Sequence, residues 1–197
     1  MSGKSTPHPL ILASSSPRRR YLLEQAGLIF NVIPSTLDEN SVPVSTPENL
    51  VRILAEAKAM EVAELYPKSW VIGADTLVCI GDDVLGKPDT SVTARRMLKA
   101  LSGKTHGVFT GYCICCKAEE RTFSETVETK VSFKTLSETE IDWYLSTGEP
   151  FDKAGAYAVQ GLGSFLVKRI EGSYSNVVGL PVCEVIECLL REGIIKR

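Results

Sequence analysis

Ser14, Ser15 and Ser16 run into Pro17 and three consecutive arginines, Arg18, Arg19 and Arg20. Ser16 as N-cap with Pro17 at the first helical position predicts a helix start. Such an end offers unpaired N–H groups and partial positive charge, which favour a phosphate or carboxylate. Arginines are unfavourable beside that charge unless an anion joins them, although a capped surface helix with solvated arginines fits the same residues. Neither G-x-x-x-x-G-K-[ST] nor G-x-G-x-x-G occurs, so this is no P-loop. A second chemical signal is Asp75, an acid inside an otherwise apolar run and followed by Thr76. Burying a carboxylate there is costly unless it is paired or binds a metal.

Three further groups are weaker alone. Lys87, held between Gly86 and Pro88, suits a phosphate or is a plain loop charge. The acidic pair Asp38-Glu39 suits Mg²⁺, which takes carboxylate and phosphate oxygens and keeps several waters, or is a solvated loop pair. The stretch from Asp152-Lys153 to Gly163 interleaves glycines with Tyr157 and Gln160. It reads as backbone that a ligand approaches closely, with an amide able to donate and accept at a base edge.

These residues need elements to position them. Leu10–Ala13 predicts a short buried strand that delivers the serines, and the helix after it turns Tyr21, Leu22, Leu23 and Ala26 inward before Gly27 ends it. Residues 28–34 predict a second strand. Thr46-Pro47-Glu48 opens a helix running to about Tyr66, with Leu50, Ile53, Leu54, Ala57 and Ala63 at helical spacing. The Asp75 strand spans 70–80 and turns at Gly81-Asp82-Asp83. A helix over 91–101, strands over 108–116 and 122–134, a capping box at Ser137 and Glu140, a strand over 165–170 and a helix over 181–191 follow. The mixture predicts an α/β to α+β fold with a mixed central sheet flanked by helices and two lobes around a cleft.

The chain has 197 residues, with 22 Lys+Arg against 24 Asp+Glu and a net charge of −2. That balance excludes a general nucleic-acid coat, which needs a large basic excess. With 44% hydrophobic and 23% charged residues the composition is that of a globular domain. The expectation is one domain over residues 10–197 after a disordered extension over 1–9. The N-terminal residues lack a secretory h-region and no apolar run spans a membrane, which predicts a cytoplasmic protein. Two histidines, His8 and His106, leave little for a His-rich metal site. Six cysteines without C-x-x-C spacing are expected to be buried free thiols, Cys113 and Cys115 facing one side of a strand and Cys116 the other.

The run Leu12-Ala-Ser14-x-Ser16-Pro17-Arg18-Arg19 resembles the opening signature of the Maf family of nucleoside triphosphate pyrophosphatases. The resemblance continues through Asp38-Glu39, Ala57-Lys58-Ala59, Gly73-Ala-Asp75-Thr76 and Gly86-Lys87-Pro88. It extends to Leu101-Ser-Gly-Lys104-Thr-His106, Thr110-Gly111 and Glu149-Pro-x-Asp152-Lys153-Ala-Gly155-Ala-Tyr157. It closes with Gln160-Gly-x-Gly163 and Gly172-Ser-Tyr-Ser-Asn176-Val-Val-Gly179-Leu-Pro181, covering residues 10–190 in order.

That resemblance implies a fold similar to inosine triphosphate pyrophosphatases. It also implies a homodimer that cleaves the α–β phosphoanhydride bond of a nucleoside triphosphate with Mg²⁺ or Mn²⁺, and clears modified nucleotides. It places Asp75 as the proton acceptor that activates water. It puts Arg18, Thr76 and Gln160 at positions linked with base specificity, and Ser14, Arg19, Lys58, Lys87 and Glu39 around the triphosphate, with Glu39 and Asp75 at the metal. Asp75-Thr76 with Gln160 resembles the dTTP and UTP branch. The 7-methyl-GTP branch has Asp-Gln at the first pair and an acid in place of Gln160. The implied partners are the nucleotide and a second copy, not nucleic acid or membrane. Alternatives remain: a wider choice of pyrimidine, a nucleotide-binding regulator of cell division with little catalysis, or a structural dimer on the same scaffold.

Overall fold

The computed structural model describes residues 9–39 and 45–196, so most of the expected N-terminal extension, residues 1–8, lies outside it. Among the described residues seven strands form one mixed sheet. They are β1 (Leu10–Leu12), β2 (Asn31–Val32), β3 (Trp70–Ile80), β4 (Asp83–Leu85), β5 (Thr105–Cys116), β6 (Arg121–Phe133) and β7 (Val167–Glu171). The order is β2-β1-β3-β5-β6-β7, with β4 folded back on the end of β3. The first three strands are parallel and the rest antiparallel. The parallel part needs helical crossovers, whereas β5 and β6 join through a single 3₁₀ turn at Lys117–Glu119.

Helix α1 (Pro17–Gln25) links β1 to β2, and α2 (Pro47–Leu65) crosses back to β3 over the other face of the sheet. Further helices are α3 (Ser91–Leu101), α4 (Glu138–Ser146), α5 (Tyr174–Val178) and α6 (Val182–Arg191). On the α1 side the apolar residues form two clusters at opposite ends of the long strands. One gathers Leu23, Trp70, Ile72, Tyr112, Ile114, Val185 and Leu189 under α1 and α6. The other gathers Val78, Leu98, Val108, Val131, Ile141 and Tyr144 under α3 and α4. The expected mixed sheet flanked by helices is the fold observed.

Several local expectations are corrected. Tyr21 is half exposed, and Leu23 alone is fully buried on α1. The second strand shrinks from 28–34 to Asn31–Val32, exposed at the sheet edge. Residues 165–166 belong to a 3₁₀ turn, Gly161–Leu166, so β7 begins at Val167. On α2 the buried stripe is Val51, Leu54, Ala55, Lys58, Ala59, Val62 and Ala63, rotated from the expected phase through Leu50, Ile53 and Ala57. The cause lies in the sheet. A Cβ at Gly73 of β3 would fall 2.3 Å from Ala55 O, and one at Gly111 of β5 would fall 2.3 Å from Val51 O. Bare strand positions let small residues of α2 approach the backbone, which outweighs burying a larger leucine. All six cysteines are free; Cys113 and Cys115 lie under α2 and Cys116 on the opposite face, but Cys183 is exposed rather than buried.

Candidate active site

A cleft of about 550 Å³ opens beyond the carboxyl end of β1, within the roughly 300–1,000 Å³ usual for small-ligand sites. Ser14, Arg18, Arg19, Glu39, Lys58, Asp75, Thr76, Lys87 and Gln160 all line it, although they come from segments far apart in the chain. Asp38 does not line it.

Its floor is the strand β3. Side chains alternate along a strand, so Asp75 shares a face with Gly73 and looks towards α2, while Thr76 looks to the opposite face. The rotated stripe of α2 carries Lys58 inward, above Asp75. Lys58 Nζ donates to Asp75 Oδ1 and to Glu39 Oε1, each at 2.6 Å. The Lys58 and Asp75 side chains are only 11% and 10% exposed, so their charges compensate each other where water is scarce. Burial tends to raise the Glu39 carboxyl, but the Lys58 bond and charge, with Lys87 and Arg19 nearby, hold it below its ordinary range.

On the other face Arg19 is locked in place. Its Nε donates to Gly179 O at 2.8 Å, Nη1 to Ser14 Oγ at 3.2 Å and Nη2 to Thr76 Oγ1 at 3.0 Å. A guanidinium has five N–H donors, so two remain for an anion in the cleft. Burial pulls the Arg19 pKa down, against the attraction of Asp75. Ser14 Oγ accepts from Arg19 and from Ser16 N, which leaves its own proton to give. Ser16 caps α1 through Arg19 N, as its sequence predicts, and no acid occupies the first turn. Of the three arginines only Arg20 turns away, to Glu24 on the helix surface.

Arg18 reaches across the cleft to Asp152 Oδ2 at 3.1 Å. The other oxygen of Asp152 accepts from Lys153 Nζ, which also donates to Glu149 O at 2.7 Å. Lys153 and Tyr157 line the cleft too, within the glycine-rich stretch that reads as backbone a ligand approaches, although the resemblance assigns them no role. The signal for Lys153 was present in the sequence, a cation directly after an acid in a glycine-rich stretch. Beside them Glu149 Oε1 accepts from Tyr144 Oη at 2.9 Å and Gly163 N at 2.8 Å, and Oε2 from Leu162 N at 3.0 Å. Burial raises Glu149, but the N–H donors of Gly163 and Leu162 and the Tyr144 hydroxyl bring it net below its ordinary range. This knot shapes the turn that presents Gln160. Gly163 is obligatory in it, because a Cβ would sit 2.5 Å from Tyr144 Oη and from Ala158 O. The Gln160 amide and the Lys87 ammonium bond to no other side chain among the described residues and are open to a ligand.

The lining therefore holds five cations, Arg18, Arg19, Lys58, Lys87 and Lys153, against three carboxylates, Glu39, Asp75 and Asp152. Concentrated in one cleft, that excess attracts a polyanion although the whole chain is near neutral. Glu39 and Asp75 converge on one point, held there by Lys58. Among the described residues no group of three or more His, Cys, Asp or Glu forms a metal cage. The donor set suits a hard cation such as Mg²⁺ that completes its shell with phosphate oxygens and water.

The family model described as Maf-like protein matches residues 9–192. A dTTP/UTP pyrophosphatase of Syntrophus aciditrophicus (strain SB) is 50% identical over 93% of this chain and 90% of its own length. Proteins of the same name from Geobacter sp. (strain M21) and Halalkalibacterium halodurans are 49% and 48% identical, over 91% and 96% of this chain and 93% and 98% of theirs.

Proposed function

The chain belongs to the Maf family, and on that premise we propose that it hydrolyses dTTP and UTP to the monophosphate and pyrophosphate. The observation that carries the reading is the Asp75–Lys58–Glu39 cluster, facing the uncommitted donors of Arg19 and Lys87 across one cleft. In this reading Arg19, Ser14, Lys58 and Lys87 hold the triphosphate. Asp75 takes the proton from a water that attacks the α-phosphorus, and the bond to the leaving pyrophosphate breaks. Glu39 and Asp75 would hold Mg²⁺ or Mn²⁺, which when bound stabilises charge on transferring and leaving oxygens. Lys58 holds both carboxylates in place. Thr76, Arg18 and Gln160 meet the base; uracil and thymine share an edge, so one pocket suits both, and modified pyrimidines with that edge would enter too.

The same reading carries a cytoplasmic homodimer without nucleic-acid or membrane partners. No helix among the described residues is long and apolar enough to cross a membrane. The test is product analysis with dTTP, UTP, CTP, GTP and 7-methyl-GTP plus Mg²⁺. Pyrophosphate and monophosphate from dTTP and UTP are expected. Orthophosphate as first product would overturn cleavage at the α–β bond, and no turnover with binding intact would overturn hydrolysis and favour the regulator.

A further inference from the structure

Beneath Thr76 lies a second threonine, Thr110 of β5, paired with it across the strands and wholly buried. Their hydroxyl oxygens are 2.9 Å apart. Thr110 Oγ1 is also 3.2 Å from the carbonyl of Asn176 on α5, which can only accept. Thr76 Oγ1 accepts a hydrogen bond from Arg19 Nη2 and lies 3.4 Å from Gly179 O. Each hydroxyl has one proton and two lone pairs, so with the two hydroxyls bonded to each other and each proton given to a protein acceptor, two chains are consistent. In one, Thr76 donates to Thr110 and Thr110 to Asn176 O. In the other, Thr110 donates to Thr76 and Thr76 to Gly179 O.

The first chain has the shorter outer link, and it leaves Gly179 O to Arg19 Nε at 2.8 Å. Asn176 is itself pinned, its amide donating to Val108 O at 3.1 Å and to Thr129 Oγ1 at 2.9 Å, so the terminal acceptor does not move. With the proton drawn inward, Thr76 keeps a single lone pair towards the cleft. It faces a ligand as an acceptor only.

We propose that Thr110 is a positioning residue for base selection, withholding the Thr76 proton so that Thr76 accepts from an N–H on the base. The inference rests on the reading above that Thr76 meets the base. The imide N–H of uracil or thymine satisfies such an acceptor; the bare ring nitrogen of cytosine at the same place does not. Removing the Thr110 hydroxyl frees the Thr76 proton, which then serves a cytosine nitrogen as well.

The experiment compares the affinities of α,β-methylene analogues of UTP and CTP by calorimetry, with turnover of UTP and CTP measured in parallel. In Thr110→Val the uridine-over-cytidine preference is expected to fall about tenfold, the scale of one net hydrogen bond, while Thr110→Ser keeps it. Thr110→Ala repeats the test if the valine variant folds poorly. An unchanged preference, an equal loss for both bases, or no preference in the parent protein would overturn the proposal. Binding that behaves as expected without turnover would leave Thr110 in place and sink the hydrolytic reading instead.

Discussion

Lys58 Nζ lies 2.6 Å from Asp75 Oδ1 because Gly73, two residues earlier on the same face of β3, carries no side chain. The absent Cβ lets α2 approach until Ala55 and Ala59 touch the strand, and that approach carries Lys58 over the carboxylate.

Gly73→Ala is therefore expected to destabilise the fold by about 1–3 kcal/mol through overpacking, although alanine normally suits a strand better than glycine. Turnover should fall with it as Lys58 is lifted away. Urea unfolding with parallel kinetics checks both; a stabilised, fully active variant would contradict the close approach.

Asp75→Asn is expected to lower turnover by about 10²–10⁴-fold, the range for a lost general base, while nucleotide still binds. Lys58 retains Glu39 as a partner, so folding should survive. Unchanged kcat would remove Asp75 as the base.

Chelation by EDTA should stop hydrolysis, and Mg²⁺ or Mn²⁺ should restore it. Thermal unfolding of the nucleotide-free protein should not move, because Lys58 already pairs with both carboxylates. Hydrolysis that persists without divalent metal would contradict the role given to Glu39.

Gln160→Glu removes an amide donor and adds negative charge at the base. We expect kcat/KM for dTTP and UTP to fall about ten- to thirtyfold, one hydrogen bond's loss with its desolvation, at unchanged Tm. Equal kinetics would show that Gln160 does not meet the base.

Stability should also depend on pH through His106. Its Nε2 pairs with Tyr157 Oη at 2.8 Å, and burial pushes its pKa down to about 4 from 6.5. The unfolded chain takes up the proton first, so stability is full above pH 6.5. It falls as the pH drops towards 4, by at most about 3 kcal/mol. His106→Gln keeps a polar partner for Tyr157 without a titrating ring, so its Tm should fall less between pH 7 and 5. Identical slopes would exclude His106 as the cause.

Much was legible in the residues because it depends on local chemistry. The Ser16 cap with Pro17, the box at Ser137 and Glu140, the strand at 70–80 and the helix at 91–101 each stand where their own sequence puts them. Asp75 announced itself as an acid in an apolar strand, and the nine site residues carried over from the family resemblance all reach the cleft. What the sequence left open was contact across distance. The phase of α2 follows from Gly73 and Gly111, which lie outside the helix on two different strands. Arg19 reaches Thr76 and Gly179 only because β1, β3 and α5 converge. The direction of the Thr76 proton depends on Thr110 and Asn176, 34 and 100 positions further along. Local propensity and charge type are properties of a segment; the partner of a buried polar group is a property of the packed whole, since packing alone decides which donors and acceptors lose their water together.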